Sequence, residues 1–100
     1  MAQFDVYRLK SEGIEFVLDL QDEMLENLST RVVAPLALPE MVGLPMRTLN
    51  PRIPVGGVDY ILLTHLLAAI PVAALANPVG SASSQRDVII AALDLMFTGI

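Results

Sequence analysis

Ser83-Ser84-Gln85-Arg86-Asp87-Val88-Ile89-Ile90-Ala91-Ala92-Leu93-Asp94-Leu95-Met96-Phe97-Thr98-Gly99-Ile100 closes the chain and reads as its clearest helix. Ser84 stands as N-cap with Asp87 three residues on, the reciprocal half of a capping box, and the carboxylate suits the positive helix end. No Gly or Pro interrupts the run before Gly99. Advancing about 100° per residue gathers Val88, Ile89, Ala92, Leu93, Leu95 and Met96 into one broad sector. Arg86, Asp87 and Asp94 fall opposite, the pattern of a helix lying on a sheet. Ile90 and Phe97 break it, landing beside Asp94 on the polar side. An apolar strip leading into the chain end is either a docking surface or a patch covered by a dimer partner or a neighbouring loop.

Upstream of the helix the periodicity is that of strands. Phe4, Val6 and Tyr7 mark a first strand over Gln3–Leu9, ended by the turn cluster Lys10-Ser11-Glu12-Gly13. Ile14–Gln21 pairs with it as a hairpin, Ile14, Phe16, Leu18 and Leu20 on one face and Glu15, Val17, Asp19 and Gln21 on the other. Asp22–Ser29 is an acidic loop carrying Met24, Leu25 and Leu28. Arg31–Leu38 is a third strand, in which Pro35 favours an edge or a bulge. Pro39–Gly57 holds prolines 39, 45, 51 and 54 and reads as short strands and turns. Val58–Ala69 and Val72–Leu75 read as buried strands broken at Pro71, and Asn77-Pro78-Val79-Gly80-Ser81 as the loop before the helix. These elements predict one mainly β domain over residues 1–100, a compact antiparallel barrel with a C-terminal helix.

Composition narrows the function. The hydrophobic share is 54% without counting glycine, against about 45–50% with glycine included for ordinary domains. In 100 residues that surplus points to a buried subunit interface. A net charge of −5 with six scattered basic residues argues against direct nucleic-acid binding, which needs clustered Lys and Arg. The chain has no cysteine, so disulfides and Cys-ligated metals are excluded. The N-terminus lacks the basic start and apolar run of a signal peptide, compatible with the cytoplasm. Ile61–Ala76 is apolar apart from Thr64 and His65, but it falls short of the roughly 20 residues that span a bilayer and Pro71 divides it. No membrane association is expected.

Catalytic signals are sparse. His65 is the only histidine, with no adjacent acid or nucleophile, and reads as a hydrogen-bonded strand residue. Asp19, Asp22, Glu23 and Glu26 lack the central Gly and ligand spacing of a calcium loop, so they read as a solvated acidic turn. No phosphate loop, His-Glu-x-x-His or nucleophile elbow is present. Neither catalytic residues nor a cofactor nor a metal is expected.

Several short motifs, in order along the whole chain, resemble the CcdB family: Gln3-Phe4-x-Val6-Tyr7, Asp19-x-Gln21, Arg31-x-Val33-x-Pro35-Leu36-Ala37, Pro71-Val72 and the ending Leu95-Met96-Phe97-x-Gly99-Ile100. CcdB proteins are the gyrase-poisoning toxins of bacterial type II toxin–antitoxin modules. The resemblance implies an SH3-like barrel, shared with MazF, that forms a symmetric homodimer and traps the DNA gyrase A subunit on cleaved DNA by binding alone. It maps the gyrase contact onto Asp94, Phe97, Thr98, Gly99 and Ile100, with Met24 and Leu25 as an apolar pair in the loop after the second strand. A CcdA-like antitoxin is expected to cover Met24, Leu25 and Phe97 with a segment that folds on binding. Two positions depart from the pattern. Thr98 stands where the family has a tryptophan that stacks on an arginine of gyrase, and Asp94 where the best-known member has an asparagine. Alternatives are a toxin-fold relative with weak or no gyrase poisoning, and an endoribonuclease of the MazF type, which would need a basic RNA groove and an acid–base pair.

Overall fold

In Phe16-Val17-Leu18-Asp19 the face that alternates with Phe16 and Leu18 holds an apolar Val17 beside Asp19, and the structure shows why. In the computed structural model, which describes residues 2–9 and 14–100, all four side chains are buried, alternately on the two faces of a sheet. Strands β1 (Asp5–Leu9), β2 (Phe16–Asp19) and β3 (Thr30–Ala37) run antiparallel, Val6 opposite Leu18 and Leu18 opposite Ala34. After them come β4 (Arg52–Val55), β5 (Val58–Leu62), β6 (Ala68–Pro71) and β7 (Leu75–Ser81), then helix α1 (Arg86–Thr98). The strand order is β4-β5-β3-β2-β1-β7, with β6 also paired to β3. The fold is thus mainly β, an antiparallel sheet curled into a half-barrel with one C-terminal helix, in kind what the sequence predicts. The turn expected at Lys10–Gly13 lies outside the described residues.

Alternation within each strand sorts side chains between two cores. Val6, Phe16, Leu18, Ala34 and Leu36 meet Ile53, Tyr60, Leu62 and the helix residue Ile89 on one side. Tyr7, Val17, Val33 and Leu75 cluster on the other, with Leu9 and Ile70 against them. Each fully buried Val, Leu, Ile or Phe among them contributes about 1.5–3 kcal/mol by leaving water. Phe16 and Tyr60 meet edge to face, their ring centroids 5.5 Å apart, the arrangement that ring quadrupoles favour.

β3 has more partners than any other strand described. Residues 30–33 pair with β6 and residues 36–37 with β5, so the sheet forks along it. Pro35 sits at the fork, buried and interior rather than at an edge. Its carbonyl accepts from Leu63 N–H at 2.9 Å. Within a strand the N and O of one residue point the same way, so the proline nitrogen faces the gap between β5 and β6, where no ladder bond is missed. β4 and β5 close through Gly56-Gly57, with φ values of 59° and 83°. Both central positions of this two-residue hairpin need positive φ, which glycine adopts without steric cost.

Three expected boundaries differ. The apolar run Val58–Ala69 is not one buried strand: a 3-10 turn over Thr64–Leu66 divides it, and Leu66, Ala68 and Ala69 are exposed. Val72–Ala74 is a 3-10 turn rather than strand. Asn77–Ser81 is not a loop but part of β7, which pairs with β1 through two register shifts. Its turn-forming composition is tolerated because, among the described residues, β7 has no second strand partner demanding backbone donors.

Candidate functional site

The start of α1 is tied to β1 and β2 through the segment around Phe4. Phe4, at φ 69°, donates its N–H to Asp19 O at 2.7 Å and accepts from Ala82 N–H at 2.8 Å. One residue therefore ties β2 to the entry of the helix. The Arg86 guanidinium lies over the Phe4 ring, 5.7 Å from its centroid, and donates to Gln3 Oε1 at 3.4 Å. Ser84 is not the N-cap, and no Ser84–Asp87 capping box forms. Ser83–Gln85 is instead a 3-10 turn running into the helix, with Gln85 N–H bonded to Ala82 O and Ser83 N–H to Ser81 Oγ. Drawn in as a 3-10 turn, the chain carries Ser84 past the position from which a hydroxyl could cap.

Ile89 and Ala92 are fully buried on the sheet, and Ile90 and Leu93 pack against the same core. The buried sector is rotated toward Ile90 relative to expectation, and Val88 is exposed in its place. Ile90 therefore leaves the exposed strip, while Phe97 stays in it, because the helix has by then run beyond Ile89 and Ala92, its last contacts of full burial. Phe97 is 69% exposed and Ile100 89%, with Asp94, Thr98 and Gly99 also at the surface. Thr98 is the last helical residue. Its Oγ1 donates to Asp94 O at 2.7 Å, so the hydroxyl is already satisfied. Gly99, at φ 77°, ends the helix in the left-handed conformation, its N–H bonded to Leu95 O, which leaves Ile100 projecting past the last turn.

Met24 and Leu25 occupy a different element, a 3-10 turn over Glu23–Leu25 between β2 and β3. Met24 is 87% exposed and Leu25 48%. Leu28, which the sequence reading noted but left out of the site, is exposed in the same loop. Of the acidic group, Asp22 caps the turn, its Oδ1 accepting from Met24 N–H at 2.8 Å, and Glu23 and Glu26 are at the surface.

Asp19 is not in a solvated turn. It and Arg31 are both fully buried and face each other across β2 and β3, with Arg31 Nε and Nη2 3.0 and 2.8 Å from Asp19 Oδ2. Burial pushes the Asp19 carboxyl above its usual pKa, and the Arg31 and Gln21 hydrogen bonds pull it part of the way back. Twelve residues separate the pair, so only the β2–β3 pairing reveals it. His65 is exposed on the Thr64–Leu66 turn rather than in a strand, its Nδ1 3.3 Å from Asn50 Nδ2. No cluster of three or more His, Cys, Asp or Glu arranged to hold a metal occurs among the described residues, and no helix of the described residues is long and apolar enough to cross a membrane.

A second apolar surface went unread in the sequence. Met41, Leu44 and Met46 are exposed and line an open groove with Leu49, Leu63 and His65. Their signal was masked by the prolines around them, which mark turns and say nothing of which side chains the turns display.

Residues 3–99 match the sequence profile of the CcdB protein family. The chain belongs to the CcdB family. The match runs from the Gln3-Phe4 segment that anchors the helix entry to the Gly99 that ends the helix, covering both exposed apolar segments except Ile100. CcdB membership supports a toxin of a toxin–antitoxin module, and in the structure Asp19, Gln21 and Arg31 tie β2 to β3.

Proposed function

We propose that this chain is a toxin that acts by binding the DNA gyrase A subunit, with α1's end and the Met24–Leu25 turn as its contact surface. The observation that carries the reading is the exposed chain end of a CcdB-family protein. Phe97 and Ile100 project from an ordered helix terminus, beside Asp94, Thr98 and Gly99. Large apolar side chains held on a rigid element without cover are suited to insertion into a partner. The proposed mechanism makes no bonds: the toxin occupies the subunit and holds gyrase on cleaved DNA. A CcdA-like antitoxin would neutralise it by covering Met24, Leu25 and Phe97, and the working unit would be a two-fold homodimer.

Thr98 shapes the strength of that contact. A threonine cannot present the broad ring face that stacks on a guanidinium, and its hydroxyl is turned back onto Asp94 O. Binding to an ordinary gyrase A subunit should therefore be weaker than the family norm. An endoribonuclease reading has less to stand on, because the net charge is −5 and His65 faces the Asn50 amide rather than a carboxylate.

The test combines purified protein with gyrase and supercoiled DNA. Cleaved DNA should accumulate, disappear when the antitoxin is added, and persist with His65→Ala. RNA cleavage without gyrase, lost in His65→Ala, would refute the reading.

A further inference from the structure

Every residue from Asp22 to Thr30 is exposed, Leu25 and Leu28 by about half, so hydrophobic packing holds the loop that carries Met24 and Leu25 only weakly. Polar bonds add to its order. Inside the loop, Leu25, Glu26 and Leu28 N–H groups donate to Asp22, Glu23 and Leu25 carbonyls. These fold the turn on itself without fixing it to the sheet.

The side chain of Gln21 ties the turn itself to the sheet, beside two bonds at the loop's ends, Arg31 Nη1 to Asp22 O at 3.5 Å and Val72 N–H to Ser29 O at 2.9 Å. Its Nε2 donates to Leu25 O at 3.4 Å and to Thr30 O at 3.3 Å, and its Oε1 accepts from Val32 N–H at 3.1 Å. One amide thus joins the docking turn, the end of the loop and the start of β3. A backbone donor on one side and two carbonyls on the other leave a single sensible orientation of the amide. Gln21 is in turn held by its own backbone: its N–H donates to Asp19 Oδ1 at 3.0 Å, and its carbonyl accepts from Arg31 Nη2 at 2.6 Å. The buried ion pair fixes Gln21, and Gln21 fixes the turn.

We infer that Gln21 is a positioning residue for partner binding, a clamp that presents Met24 and Leu25 in their docking conformation before the partner arrives. The inference rests on the proposed function, in which that pair meets gyrase. Its physical content is preorganisation: without the clamp, the partner must order the loop during binding and affinity falls. Glutamate would keep the acceptor for Val32 and lose both donors to the loop, so Gln21→Glu should loosen the turn much as Gln21→Ala does.

The experiment is a double-mutant cycle read by titration against a gyrase A fragment. Gln21→Ala should weaken binding by about tenfold, and should add nothing once Met24→Ala and Leu25→Ala are both in place. In the free protein, amide exchange at Leu25, Glu26 and Leu28 should accelerate while β1–β3 stay protected. If Gln21→Ala fails to fold, Gln21→Glu gives the same readouts. Unchanged loop exchange would overturn the inference, as would equal weakening with and without the apolar pair, since a general defect does not act through particular side chains. Failure of the wild type to bind would remove the proposed function and the docking role with it. Loop exchange would then still report separately whether the clamp exists.

Discussion

Arg31 and Asp19 exert their effect where no partner can reach them. Each is fully buried, and each would leave the other uncompensated if removed. Arg31→Met should therefore destabilise the protein by about 3–5 kcal/mol, the usual cost of stranding one member of a buried pair. Urea unfolding at neutral pH checks this, and a loss under about 1 kcal/mol would mean that water reaches the carboxylate. The pH dependence has a definite sign. Burial raises the Asp19 carboxyl in the folded state, so folding holds its proton more tightly than the unfolded chain does. This group's contribution is complete below the ordinary aspartate pKa, about 3.9, and is lost as pH rises through the raised folded value. Thermal melts from about pH 3 to about pH 7 should show the wild type losing ground to Asp19→Asn as pH increases. A gap moving the other way would mean that the Arg31 hydrogen bonds outweigh desolvation.

At the scale of elements, the helix and the acidic loop divide the labour. α1 is anchored through Ile89 and Ala92 and presents Phe97 and Ile100; the loop has no fully buried residue and presents Met24 and Leu25. Leu25→Asp should accordingly weaken binding of gyrase and of the antitoxin while moving the Tm little, as differential scanning calorimetry and titration together would show. A large fall in Tm would place Leu25 in the core and remove it from the interface. The elements differ in how much of them the sequence revealed. A 3.6-residue period is local, so α1 was legible, although its N-cap and the rotation that buries Ile90 depend on the sheet beneath. β2 was legible because Phe16, Leu18 and Leu20 alternate. β7 was not, because Pro78 and Gly80 suit a turn and only pairing with β1 makes them a strand. The exposed pair Met24–Leu25 came from family resemblance, since composition cannot tell a displayed leucine from a buried one.

The whole molecule manages its surfaces in two ways. Among the described residues β4, β6 and β7 each have one strand partner, and each carries a proline: Pro54, Pro71 and Pro78. The neighbouring bonds Leu62 N–H to Pro51 O and Val72 N–H to Ser29 O make the alternate residues of β4 and β6 face outward. Pro54 and Pro71 thus turn donorless nitrogens to the open edges, which discourages strand addition. The faces have no such protection, and Met41, Leu44, Leu66 and Phe97 stand exposed. Association should therefore occur through side chains. Sedimentation at micromolar concentration should give a dimer, and a monomer would leave the apolar surplus without its proposed cover. The claim that matters most is that the end of α1 is the gyrase contact, and titration of a gyrase A fragment with the wild type, Thr98→Trp and a chain lacking residues 98–100 tests it most directly. Thr98→Trp should bind about 5–150 times more tightly, corresponding to about 1–3 kcal/mol, and the truncated chain should stay folded and fail to bind; equal affinity for all three would contradict the account.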